Sequence, residues 1–258
     1  MAGNITTKRL EAWMYRAPNE HFALIVSIFL LIIFGLIFSS INFIVFLFLL
    51  ILGLIYIQLT QAQYIGNAVK VTPSQFAELY DVFNCHTERL NINSANLYIK
   101  QDPYLNAFTV GLGTCSVVLT SSLVEQLSLS ELDFVIGHEL GHFQSGHTVI
   151  SSLINPLGGT NPLGFLIFGI WSRVAEYTSD RAGLILCNNI DSAVSSMIKL
   201  SVGGRLFGRF NAADYVDQIK SSKDASVKFS ETLLSHPLTT NRIRRLLQFW
   251  RESFTINS

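Results

Sequence analysis

The chain has no surplus of charge. Its 18 lysines and arginines are matched by 18 aspartates and glutamates, and its isoelectric point is near 7.0. A protein that neutralises phosphates needs a basic excess, so nucleic-acid binding is not expected. Charge of either sign is also scarce: 14% of residues are charged against 49% hydrophobic. Cysteine is nearly absent. Cys85, Cys115 and Cys187 are far apart, odd in number and form no C-x-x-C pair. That argues against a disulfide framework or a cysteine zinc site and for three small buried side chains in a reducing compartment.

The longest gap in charge runs from His21 to Lys70, and within it residues 22–59 are almost wholly Phe, Leu, Ile and Val. As one helix this run would be roughly 57 Å long at 1.5 Å per residue, against a hydrocarbon core of about 30 Å. Ser39-Ser40-Ile41-Asn42 is its weak point. Two spans are therefore expected, about 22–38 and 41–59, joined by a very tight turn into a transmembrane hairpin. The run is too long for a cleaved signal peptide and no small-residue cleavage site follows it. Apolar residues on every face argue against a soluble helix pair. Lys8, Arg9 and Arg16 in the polar lead 1–21 place both flanks, and the rest of the chain, on the cytoplasmic side.

Residues 61–258 read as a globular domain that is α+β and mostly helical. Thr72-Pro73 is expected to open a helix carrying Phe76, Leu79, Tyr80 and Phe83. Short strands are expected at 95–100, 107–111 and 116–120. Ser128-Leu129-Ser130-Glu131 has the form of a capping box, and a further helix spans about 172–187. Between the last two lies an apolar stretch, Val149–Trp171, interrupted by Pro156, Gly158, Gly159, Pro162 and Gly164. It is either a core-packing loop or a segment that dips into the membrane surface.

The chemistry is concentrated in His138-Glu139-Leu140-Gly141-His142. On a helix, residues i and i+4 share a face, so both imidazoles can reach one Zn²⁺ ion. Glu139, one step round, is placed to take a proton from a water that zinc activates. A catalytic zinc site needs a third protein ligand. A third histidine six residues after His142 is excluded, because that position is Thr148; His147 is five residues on, and is read as a structural or supporting residue. The better candidate is Glu176, in Glu176-Tyr177-Thr178-Ser179-Asp180-Arg181. Glu176 and Asp180 are again i, i+4. One carboxylate can bind the metal while the other accepts a hydrogen bond from a ligand histidine.

In combination these elements resemble the M48 family of gluzincin peptidases, and within it the membrane proteases of the HtpX type. The matching residues are Val117–Leu123, Leu127–Leu132, His138–His142, Glu176-x-x-x-Asp180-Arg181-Ala182-Gly183, Ser235-His236-Pro237 and Asn241-Arg242-Ile243. The resemblance covers about residues 71–250. It implies a gluzincin-type domain with a small antiparallel sheet, one zinc ion per chain held by His138, His142 and Glu176, Glu139 as general base, and Asp180 behind a ligand histidine. His236 and Arg242 would stabilise the oxyanion, and Asn106-Ala107-Phe108 would bind an extended peptide by strand addition. It further implies a protease of a bacterial inner membrane with protein or peptide substrates, acting in membrane-protein quality control. The stretch Val149–Trp171 departs from the HtpX type, which has two full spans there.

Two other classes compete. A catalytically silent chaperone or scaffold at the membrane has no need of Glu139. A transporter subunit would need an ionisable residue within the spans, and neither span has one. Oligomeric state is not legible.

Overall fold

The computed structural model describes residues 9–39, 43–111, 113–154, 162–211, 214 and 238–255. A short helix α1 (Ala12–Tyr15) is followed by two long apolar helices, α2 (Glu20–Ser39) and α3 (Phe43–Gly66). Among the described residues one stretch, Glu20–Ile37, is long and apolar enough to cross a membrane. Large apolar side chains stand exposed on both helices, Phe22, Ile25, Phe29 and Leu36 on α2 and Ile44, Phe48, Ile51 and Leu59 on α3. The expected turn at residues 40–42 lies outside the described residues. Among the described side chains of α2, those at its foot are the buried ones. Glu20, Ala23 and Ser27 form one helical stripe packed against the domain.

The polar lead is part of the packing. Leu10 and Tyr15 belong to the main core, and the backbone N–H of Leu10 donates to the carbonyl of Arg89 at 2.8 Å. The domain continues with β1 (Val69–Lys70), α4 (Ala77–Arg89), β2 (Ala95–Lys100), β3 (Ala107–Val110), β4 (Cys115–Thr120), α5 (Ser121–Gln126) and α6 (Leu129–Gln144). Then come α7 (His147–Ile154), α8 (Pro162–Cys187), α9 (Ile190–Val202), α10 (Gly204–Phe207) and α11 (Thr239–Trp250).

Three expectations need correction. The sheet is mixed, not antiparallel: its order is β1-β2-β4-β3, with β2 and β4 parallel and the outer pairs antiparallel. The hairpin from β3 to β4 is local, whereas β2 reaches β4 by skipping over β3, and strand patterns carry no information on that. Thr72-Pro73 opens a tight turn, with Thr72 and Gln75 exchanging backbone hydrogen bonds of 3.0 and 2.9 Å. Proline's fixed φ suits the second position of a turn as well as a first helical turn. The helix starts later, at Ala77, after Phe76 in a left-handed conformation (φ 61°). Of the three cysteines only Cys115 is buried; Cys187 is half-buried and Cys85 exposed.

The helix expected at 172–187 begins earlier, at Pro162, so the second half of the Val149–Trp171 stretch is continuous with it. Residues 155–161, including Pro156, Gly158 and Gly159, lie outside the described residues.

The core of the domain is the crossing of α6 and α8. A Cβ on Gly183 would lie 2.8 Å from the carbonyl oxygen of Phe134, and one on Gly141 2.6 Å from Cβ of Ala182. At this crossing the two helix backbones touch, which only glycine permits. Leu132, Val135, Ile136 and Leu140 fill the core from α6, each contributing about 1.5–3 kcal/mol by leaving water.

Candidate metal centre

Helix α6 starts as its sequence foretells. Ser128 accepts from the backbone of Glu131, and Glu131 Oε2 accepts from the backbone of Ser128 at 2.7 Å. Glu131 is also bonded by Ser195 (2.6 Å) and Lys199 (2.8 Å) from α9. The helix is thereby fixed at its start, and His138, Glu139 and His142 follow on later turns.

The α6–α8 crossing brings Glu176 to the two histidines. Nε2 of His138 and Nε2 of His142 are 3.1 Å apart, and Glu176 places Oε2 3.6 Å from the first and Oε1 3.5 Å from the second. These three side chains each offer one ligand atom to a common centre, and His138 and Glu176 are buried. In a tetrahedral zinc shell with bonds of 2.0–2.1 Å, neighbouring donors stand about 3.3 Å apart. The observed spacings bracket that value. Two ring nitrogens 3.1 Å apart beside a carboxylate make a group that could hold a metal ion.

Each partner of this set is itself held. Asp180, one turn along α8 from Glu176, is buried with Oδ1 3.0 Å from Nδ1 of His138. Arg242 of α11 clamps Asp180 through Nε (2.9 Å) and Nη2 (2.6 Å), and its Nη1 lies 3.0 Å from Glu176. Burial alone would raise the Asp180 pKa, but the Arg242 guanidinium outweighs it and holds the carboxyl below its ordinary value. Burial acts on Arg242 in the opposite direction to the Asp180 and Glu176 charges, and the carboxylates win, so it stays charged. Arg245 over Tyr177 (4.2 Å) and Arg181 over Phe249 (4.7 Å) secure α11 on α8.

Glu139 points into a cleft of about 440 Å³ whose walls include Asn106, Ala107, Phe108, Thr109, Glu139 and Arg242. Strand β3 is the edge of the sheet, with β4 on one side only. Thr109 of β3 donates its hydroxyl proton toward Glu139, with Oγ1 2.7 Å from Oε2 and 3.1 Å from the backbone carbonyl. Of the residues expected in the site, His138, Glu139, His142, Glu176, Arg242, Asn106, Ala107 and Phe108 line this cleft and Asp180 lies behind His138; His236 lies outside the described residues.

The sequence reading missed Thr109 and Glu20; His147, read there as a structural or supporting residue, stands between His142 and Glu20. That ring is buried, with Nδ1 3.1 Å from Nδ1 of His142 and Nε2 3.0 Å from Oε1 of Glu20. Burial pushes its imidazole pKa down to about 4, so the ring is neutral. A lone acid at the head of a long uncharged run, four residues after Arg16, was the available signal for Glu20.

The sequence pattern of Peptidase family M48 matches residues 73–161 and 157–249, well over half of the chain. The chain belongs to peptidase family M48. Its M48 relatives include the plastoglobule-localized metallopeptidase 48 of Arabidopsis thaliana chloroplasts, 31% identical over 230 residues, covering 81% of this chain and 67% of that protein. A protease HtpX homolog of Acaryochloris marina is 23% identical over 221 residues, covering 70% of this chain and 75% of that one. A crystal structure of S. mikatae Ste24p aligns with a TM-score of 0.47 at 20% identity, over 76% of this chain and 56% of that one. The M48 match spans the elements that build the cleft, from α4 through α11.

Proposed function

We propose that the chain is a membrane-anchored zinc endopeptidase. The observation that carries this reading is the spacing of three donor atoms on His138, His142 and Glu176 at 3.1–3.6 Å, with the carboxylate of Glu139 next to them in an open cleft. Zinc, when bound there, supplies a Lewis acid that polarises a carbonyl and lowers the pKa of water toward neutrality.

The protein's own residues supply the rest. A peptide lies extended along β3, pairing with the main chain around Asn106, Ala107 and Phe108. Glu139 accepts a proton from the attacking water at Oε2 and returns it to the leaving amine. Thr109 holds that carboxylate in line. Asp180 steadies His138, and Arg242 keeps Glu176 and Asp180 ionised and in place. The rest of Arg242's five-donor fork is left for the carbonyl oxygen as it gains charge, in company with His236.

The exposed apolar helices α2 and α3 support a membrane hairpin that seats the domain at the bilayer surface. Relatives named as the HtpX protease support the same placement. The basic lead puts the cleft on the cytoplasmic face, where membrane or misfolded proteins are the substrates, in the manner of quality control.

The test is Glu139→Gln. It should leave zinc bound at one ion per chain and lower casein cleavage by about 10²–10⁴-fold, the ordinary worth of a general base. A variant that cuts as fast as the parent would remove Glu139 from the mechanism. A parent that binds zinc and cuts nothing would favour a silent scaffold.

A further inference from the structure

We propose that His147 and Glu20 are positioning residues that hold the metal ligand His142 from behind, so that the foot of the membrane helix α2 completes the metal centre. The inference rests on the metal-site reading above.

It follows from proton bookkeeping along one line of contacts. A histidine that turns the Nε2 lone pair to a metal carries its proton on Nδ1. In His142 that N–H faces Nδ1 of His147 at 3.1 Å, so this nitrogen must be the acceptor. The proton of His147 then sits on Nε2, which faces Oε1 of Glu20 at 3.0 Å. Every donor meets an acceptor. With the other tautomer of His147, two N–H groups would face each other and a ring lone pair would face a carboxylate. The Glu20 charge therefore selects the tautomer of His147, and His147 selects that of His142.

Glu20 is equipped for the task. It is 1% exposed, and it is bonded by Arg16 one turn before it and by the hydroxyl of Thr178 on α8. Thr178 also accepts from the backbone N–H of Ala17 at 2.8 Å. Trp171 packs edge-on against the His147 ring, centroids 5.6 Å apart, and restricts its rotation. The two ligand histidines are thus both backed by a carboxylate. His138 has Asp180 directly behind it, from the domain's own helix α8. His142 has Glu20, one ring further away and carried by the helix that leads into the apolar run. Partners behind a metal-bound histidine fix its orientation and raise its basicity, and their loss weakens metal binding about 10–100-fold.

The experiment uses the full chain in detergent, with zinc affinity from chelator competition and the visible spectrum of the Co²⁺-substituted protein. His147→Phe keeps the shape of the ring and removes both nitrogens; zinc affinity should fall 10–100-fold and the Co²⁺ bands should shift. Glu20→Gln should weaken binding about 10-fold. His147→Asn retains an acceptor near the Nδ1 position and should hold zinc more tightly than His147→Phe. Glu131→Gln, which loosens the opposite end of α6, serves as the stability control and should bind zinc like the parent. If His147→Phe and Glu20→Gln match the parent in both affinity and spectrum, the proposal is overturned. Equal losses in Glu131→Gln and Glu20→Gln would also overturn it, because the effect would then be stability alone. Should His147→Phe not fold, Glu20→Gln and His147→Asn decide by the same criteria. A parent that binds no metal breaks the underlying metal reading, an outcome distinct from unchanged variants.

Discussion

The two ends of α6 each rest on a buried glutamate, and they are built in opposite ways. At the start, Glu131 closes a capping box with a residue three positions away and reaches Lys199 and Ser195 on α9. At the far end, Glu20 is 127 residues from His147, which in turn backs His142. The first arrangement is a local device for starting a helix. The second is a tie between distant elements that converges on the chemistry. Disturbing the first should cost stability and spare the site; disturbing the second should be felt in metal binding.

The largest effect is expected from Arg242→Ala, at the chemical end. It removes the guanidinium that balances the buried Asp180 and Glu176, and breaking such a pair costs about 3–5 kcal/mol. Denaturant unfolding should show that loss, and chelator competition should show weaker zinc binding in the same variant. A variant as stable as the parent would mean that the carboxylates do not depend on the guanidinium.

Gly183→Ala comes next, at the crossing between the two ends. Its new Cβ meets the Phe134 carbonyl oxygen at 2.8 Å, an overpacking expected to cost about 1–3 kcal/mol. Because it forces α8 away from α6, zinc affinity should fall as well. An unchanged melting temperature would show that the crossing is looser than its contacts imply.

Glu131→Gln is smaller, about 1–2 kcal/mol from the lost cap and the lost partner of Lys199. Zinc affinity should not change, and a change would erase the contrast between the ends. The smallest effect is one of pH. Burial alone would raise the Glu131 pKa, but Lys199, Ser195 and Ser128 outweigh it and hold the carboxyl below its ordinary 4.5. A depressed folded pKa gives stability that is present above the unfolded value and lost as pH falls through the folded one. Unfolding free energy should therefore decline less steeply below pH 4.5 in Glu131→Gln than in the parent.

What was legible in the sequence follows the same division. The capping box, the two i, i+4 pairs and the strands at 95–100 and 116–120 are short-range patterns, and all of them correspond to elements of the fold. The i, i+4 spacing of Glu176 and Asp180 pointed to a carboxylate pair on one helix face. Glu176 was named there as the residue to approach the histidines, and it lies 3.6 and 3.5 Å from their Nε2 atoms. Thr109 was invisible because its partner Glu139 is 30 residues away, and a threonine in a strand needs no further reason. The packing of Leu10 and Tyr15 into the core was hidden for the same cause: a short polar lead ahead of an apolar run resembles an unpacked tail. Pro73 was misread because one signal serves two structures.

The glycine crossing also bears on which ions the site will accept. Side chains that set a spacing can hop between rotamers, but here main chain rests on main chain at Gly137 and Gly183. The gap between the histidine helix and the glutamate helix is therefore a hard stop. A cation needing more widely spaced donors must prise two packed helices apart rather than turn a side chain, and the close-packed interior resists that. The backbone contacts thus fix how far the helix of His138 and His142 stands from the helix of Glu176.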